Sequence, residues 1–164
     1  SLCYDRNVIG DVADYIVFMG YDQNGVSSPK EGTTAGCDWV EANIKKFLGQ
    51  EGVEASKIIL GTPFYTRIWT ENNGSVTSKV VNMKNIASNI PDGTKTTWDD
   101  SLKQNYAEYE KGGKTYKIWI EDAKSLRYKL KLVNTYNLAG AAYWEKDRET
   151  DDIWDMVSEV LNVK

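Results

Sequence analysis

At 164 residues the chain has the length of one ordinary domain. Its content of 41% hydrophobic and 27% charged residues fits a globular protein and excludes a mainly disordered one. Lys+Arg 20 against Asp+Glu 24 gives a net charge of -4, without the basic excess of a nucleic-acid binder. No apolar run approaches the roughly 20 residues that span a membrane. Residues 1–10 lack the basic-then-apolar order of a signal peptide, so none is expected in that stretch.

In chain order, the first strong signal is Asp14-Tyr15-Ile16-Val17-Phe18-Met19, a nearly continuous apolar run that predicts a strand buried on both faces. Residues 23–36 are polar, rich in Gly and Ser, and read as a long loop. Asp38 then predicts a cap for a helix through about Leu48, with Val40, Ile44, Phe47 and Leu48 on one face. Residues 57–65 predict a second buried strand with Pro63 near its exit. A strand-helix-strand unit of this kind crosses over right-handedly into a parallel neighbour. Near the carboxyl terminus, helical spacing over 122–137 precedes a third short strand at 138–144, and a helix over 151–161 follows.

Ile16 and Ile58 lie 42 positions apart, but Ile58 and Leu138 lie 80 apart. A plain crossover takes roughly 30 residues or more, so the second interval holds about 40 too many. The surplus falls in 70–121, with strand-like pieces at 78–83 and 113–120, a helical piece at 83–90 and a turn at Pro91-Asp92-Gly93. It reads as an α+β subdomain inserted into a loop.

The sequence has no histidine, which removes Ser-His-Asp and Cys-His catalysis and every His-containing metal motif. Cys3 and Cys37 are too few for a structural zinc site and read as ordinary thiols, with one disulfide left to geometry. No metal or cofactor is expected. Six Trp and ten Tyr against three Phe suit either a sugar ligand with flat apolar faces or an ordinary aromatic core.

Three segments taken together carry a resemblance. Phe18-Met19-Gly20-Tyr21-Asp22 resembles the M-x-Y-D that ends the sixth barrel strand in glycoside hydrolase family 18. Leu60-Gly61-Thr62-Pro63-Phe64-Tyr65-Thr66-Arg67 is similar to that family's G-x-P-F-Y-G-R seventh strand. Glu121-Asp122-Ala123-Lys124-Ser125, followed by Leu138-Ala139-Gly140-Ala141-Ala142-Tyr143-Trp144, resembles its E-D-x-x-S helix and its eighth strand ending in Trp. The similarity runs from about Asp11 to Leu161 and leans toward bacterial members acting on chitin or peptidoglycan, including spore-cortex enzymes.

The resemblance implies an α/β fold: part of a (β/α)8 barrel, strands six to eight, with an inserted α+β subdomain. Residues 1–69 and 122–164 would form the barrel part and 70–121 the insertion. A whole barrel takes about 250 residues, so the chain is expected to be a carboxyl-terminal piece of its parent enzyme. The implied substrates are β-linked N-acetylglucosamine polymers, and the implied mechanism is retaining and substrate-assisted, the acetamido oxygen attacking the anomeric carbon. The parent would act outside the cell, at the envelope or on the spore.

By the same resemblance Tyr21 would hydrogen-bond the acetamido group and Asp22 would orient the sugar. Trp144 would floor the subsite, Tyr65 and Arg67 would line the cleft, and Met19 would pack beneath the sugar. From the residues alone, Tyr21 is also a strand-end aromatic, Asp22 a turn or cap residue, Met19 a core methionine and Trp144 a plug of the barrel mouth. Trp69 and Trp98 are further stacking candidates; Trp39, Trp119 and Trp154 read as packing residues.

The family's D-x-x-D-x-D-x-E general-acid motif has no match. Asp11-Val12-Ala13-Asp14 begins the spacing, but Ile16 and Phe18 occupy the next required positions. Glu145 directly after Trp144 also departs from the family's pattern. The acid Glu is therefore expected on an upstream part, and this chain alone is expected to be inactive. The alternative is a non-catalytic carbohydrate-binding or structural protein on the same scaffold. Three parallel strands with two open edges further imply that the missing barrel half, or a second copy, covers the inner face.

Overall fold

The computed structural model describes residues 4–162. A short helix α1 (Arg6–Val12) is capped by the Asp5 carboxylate, which accepts from the Val8 amide, and leads into β1 (Ile16–Met19). Asp11 therefore lies in the last turn of a helix and Asp14 in the link to β1. After the loop 23–36 comes α2 (Cys37–Gly49), then β2 (Ile58–Pro63). Gly36 takes the cap position of α2, and Asp38, the predicted cap, sits inside the first turn with its carboxylate on the Trp39 amide. Cys3 lies outside the described residues, and the possible pairing of Cys3 with Cys37 with it.

The predicted strand 57–65 divides at Phe64. Its first half is β2; its second half opens β3 (Tyr65–Asn72), the first strand of a separate antiparallel sheet. β4 (Ser75–Asn82) follows, then a 3-10 turn, a single helical turn α3 (Ile86–Asn89) and the strands β5 (Thr96–Asp99), β6 (Gln104–Lys111) and β7 (Lys114–Ile120). The chain ends in α4 (Ala123–Thr135), β8 (Gly140–Trp144) and α5 (Ile153–Leu161).

Two sheets result. β1, β2 and β8 form a parallel sheet with β2 in the centre, in the register Phe18 to Leu60 and Leu60 to Ala141. β4-β3-β7-β6-β5 form a wholly antiparallel sheet. Strand-helix-strand spacing thus fixes the parallel pairing, and the surplus in the second interval supplies the other sheet.

Alternation along the parallel strands sorts their side chains. Ile16, Phe18, Ile58 and Leu60 face the helices and pack with Val40, Ile44 and Phe47 of α2 and with Leu132 and Val133 of α4. A second cluster joins Phe64, Ile68 and Ile118 to Leu126 and Leu130 of α4 and Ile153 and Val157 of α5. α4 therefore serves both cores, and each fully buried Leu or Ile contributes ~1.5–3 kcal/mol. The opposite face of the parallel sheet is bare: Val17 is 53% and Met19 63% exposed. The exposure is uneven: on the same face Gly61 and Pro63 of β2 are buried.

Candidate functional site

The carboxyl ends of the three parallel strands meet at one edge of the bare face. Met19 pairs with Gly61 and Pro63 with Trp144, so residues 19–22, 61–65 and 144 are neighbours although the chain separates them widely. Glycines make the approach close. A Cβ on Gly20 would stand 2.9 Å from the Gly61 carbonyl oxygen, and one on Gly61 would stand 2.9 Å from the Phe18 carbonyl oxygen. The same added carbon at Gly61 would lie 3.4 Å from Cε1 of Tyr21, so the phenol ring lies over the glycine. The sequence reading gave these glycines no role; Gly20 directly follows β1, and Gly61 lies inside β2 opposite Met19.

Tyr21, Asp22 and Tyr65 form one cluster. The Tyr65 hydroxyl donates to Oδ1 of Asp22 at 2.7 Å, and the Tyr21 and Tyr65 rings meet edge to face at 6.2 Å. Asp22 has φ 57, a left-handed conformation that turns its carboxylate back toward the strand ends. Burial, followed by the charge of Asp22, pushes the Tyr21 phenol up. Burial, the hydrogen bond to Asp22 and its charge hold Tyr65 far above the usual phenol range, with Arg67 pulling weakly the other way. Both phenols therefore remain neutral hydrogen-bond donors at physiological pH.

Met19 and Trp144 lie on the bare face, the latter 51% exposed. Met19 itself is 63% exposed. Arg67, one residue past Thr66 on β3, is half-buried and donates from Nη1 to Ser78 of β4 at 3.1 Å, while its Nε is buried without a partner. Its fork is thus partly committed to the antiparallel sheet. Trp69 is buried, with its indole N–H on the Gly32 carbonyl at 2.8 Å, and Trp98 lies under the Lys124 ammonium at 3.6 Å. Neither adds a free ring to the strand-end cluster. Glu145 accepts from Arg148 at 2.6 Å and so belongs to the turn after β8. The Trp144–Glu145 peptide is cis.

Among the described residues no three His, Cys, Asp or Glu side chains converge to hold a metal, and no helix is long and apolar enough to cross a membrane. The strand-end cluster can donate neutral hydrogen bonds, orient a polar group with one carboxylate and offer a flat ring to an apolar face.

Comparison with known proteins identifies the family. Residues 2–149 match the family model described as Glycosyl hydrolases family 18. An uncharacterized glycosylase of Bacillus subtilis, YvbX, is 25% identical over 156 residues, covering 94% of this chain and 44% of its own length. The cortical fragment-lytic enzyme of the same organism is 23% identical over 98% of this chain and 37% of its own length. The crystal structure of a chitinase from Chromobacterium violaceum superposes with a TM-score of 0.86 at 28% identity, covering 98% of this chain and 50% of that one. The chain thus spans half the length, or less, of these relatives. Its α/β architecture is the TIM-barrel-like fold of such enzymes, and the chain belongs to glycosyl hydrolase family 18.

Proposed function

We propose that this chain is the carboxyl-terminal part of a family 18 enzyme that hydrolyses β-linked N-acetylglucosamine polymers, chitin or peptidoglycan, outside the cell or on the spore. In this proposal β1, β2 and β8 are strands six to eight of a (β/α)8 barrel and the antiparallel sheet is its insertion. The observation that carries it is the convergence of Tyr21, Asp22, Tyr65 and Trp144 at the carboxyl ends of β1, β2 and β8, the end at which barrel enzymes place their chemistry. The bare inner face supports it too, because an apolar sheet face of this kind needs a cover.

The sugar in the reacting subsite stacks on Trp144 with Met19 beneath it. Tyr21, held neutral by its raised pKa, donates to the acetamido group and keeps its oxygen against the anomeric carbon. That oxygen attacks, the bond to the leaving oxygen breaks, and a cyclic oxazolinium forms, which water then opens with retention. Asp22 orients the acetamido group through its charge, and Tyr65 fixes the carboxylate by the 2.7 Å hydrogen bond. Protonation of the leaving oxygen needs a general acid, and the Glu that supplies it lies on the upstream part.

The test is to assay the 164-residue chain with N-acetylglucosamine oligomers and purified cortex peptidoglycan, for binding by calorimetry and for cleavage by product analysis. Binding without turnover is expected. Efficient cleavage by the chain alone would refute the division of labour, and absence of any binding would refute the site.

A further inference from the structure

Glu121, at the head of the E-D-x-x-S stretch, is fully buried, and so are Lys129, Ser125 and Gln104. Its Oε1 accepts from the Lys129 ammonium at 2.7 Å and from the Ser125 hydroxyl at 2.7 Å; its Oε2 accepts from the Gln104 amide at 2.9 Å. The carbonyl oxygen of Gln104 in turn accepts from the hydroxyl of Thr33, in the loop that follows Asp22. An unbroken buried chain thus runs from α4 through β6 to the loop, across 71 positions between Gln104 and Thr33.

The loop is tied down along its length. Trp69 donates to the Gly32 carbonyl and Lys117 pairs with Glu31 on the same antiparallel sheet. Its two ends are clipped together: the Gln23 amide donates to the Thr34 carbonyl at 2.9 Å, and the Gly36 amide to Oε1 of Gln23 at 2.9 Å. Thr33 is therefore one residue from the group that holds Gln23, and Gln23 is one residue from Asp22. A buried ion pair adds little net stability compared with apolar packing. What it does provide is a fixed direction: Oε1 is held by Ser125 and Lys129 of α4 and Oε2 by Gln104 of β6, so the carboxylate ties the two elements together.

We propose that Thr33, Gln104, Glu121 and Lys129 are positioning residues for the glycan site. They clamp the loop 23–36 onto the antiparallel sheet and so hold the Asp22 carboxylate against Tyr65. This inference rests on the glycan reading of the Tyr21–Asp22 cluster. It adds that the subsite geometry is set from the insertion and α4, not from the parallel strands alone.

The test uses the full 164-residue chain and the variants Gln104→Leu, Thr33→Val and Thr33→Ser. Both Thr33 variants leave the Glu121–Lys129 pair intact, so they serve if Gln104→Leu does not fold. Cooperative unfolding establishes which variants are folded; amide exchange reads the Gln23 and Gly36 amides; the slowly exchanging Tyr65 hydroxyl proton, assigned with Tyr65→Phe, reads the Asp22 contact. Folded Gln104→Leu and Thr33→Val are expected to lose about tenfold in amide protection and to lose the hydroxyl signal. Their affinity for tri-N-acetylglucosamine is expected to fall about tenfold, by ~1.4 kcal/mol. Thr33→Ser, which keeps the hydroxyl, is expected to retain all three. A folded Gln104→Leu or Thr33→Val with wild-type protection and an intact hydroxyl signal overturns the clamp. Wild-type failure to bind the trisaccharide would overturn the glycan reading instead, and exchange and the hydroxyl signal would still decide the clamp.

Discussion

Lys129→Met removes one partner of the buried ion pair and leaves the other. The ammonium stands 2.7 Å from Oε1 of Glu121, and both side chains are 0% exposed. Solvent cannot replace the lost partner, so the variant carries an uncompensated buried carboxylate, a change that costs ~3–5 kcal/mol. For a chain of this size each kcal/mol moves the midpoint of thermal unfolding by about 2–4 °C, so a drop of about 10 °C is expected. The deficit depends on pH. In the wild-type chain burial pushes the Glu121 carboxyl up, while the Lys129 ammonium and the Ser125 hydroxyl hold it down. Without Lys129 the folded-state value rises further, whereas the unfolded value stays at about 4.3. A folded acid with a raised pKa keeps a proton that the unfolded chain has released, so stability is lost as pH rises from the unfolded value through the folded one. The Lys129→Met deficit should therefore be largest near neutrality and shrink toward about pH 5. Glu121→Gln combined with Lys129→Met removes the charge and should recover about half of the loss or more. Denaturant unfolding followed by tryptophan fluorescence at both pH values measures this. A single variant within about 1 kcal/mol of wild type at neutral pH, or a deficit that ignores pH, would refute the reasoning.

Three further outcomes are expected. Trp144→Ala should weaken binding of N-acetylglucosamine oligomers about tenfold, by ~1.4 kcal/mol, without moving the unfolding midpoint, because the ring is exposed; calorimetry showing equal affinity would remove Trp144 from the subsite. Gly61→Ala places a methyl against the Phe18 carbonyl and the Tyr21 ring and should cost ~1–3 kcal/mol together with loss of binding. An alanine variant that binds normally would mean that Tyr21 is not held by this close approach. The exposed Val17, Met19 and Trp144 face should drive self-association, visible by sedimentation over a range of concentrations and reduced by Met19→Lys; a wild-type chain that stays monomeric when concentrated would count against it.

The elements legible in the sequence are those whose side chains are buried on one consistent pattern. β2 is buried at five of its six residues and opens on the apolar Ile58-Ile59-Leu60, and α4 shows helical spacing because it serves two cores. β6, with Gln-Asn-Tyr-Ala-Glu-Tyr-Glu-Lys, does not read as a strand: only Gln104 and Ala107 are buried, and they fall on opposite faces. β5 offers no buried residue, and the buried residue of α1 is a glycine, which carries no apolar signal. The division of the strand at Phe64 was also hidden. Apolar residues continue through it, and only the change from parallel to antiparallel partners marks the break.

The same contrast divides the site, and one motif contains both halves of it. In Glu121-Asp122-Ala123-Lys124-Ser125, the capping box is local: Asp122 accepts from the Ser125 amide at 2.7 Å and the Ser125 hydroxyl accepts from the Asp122 amide at 3.1 Å. Spacing of three predicts that exchange from the residue types alone. Glu121 looks like one more acidic residue before a helix, where the macrodipole would favour it in solvent. Its burial follows from Lys129, two turns on, and from Gln104 and Thr33, which arrive from another sheet and from the loop beyond Asp22. The strand-end residues could be named because the segments that carry them resemble family 18 motifs, whose barrel puts its chemistry at a known end of each strand. What holds those residues in register depends on side chains that only the folded chain brings together, so the clamp on loop 23–36 has no signature in any short stretch of sequence.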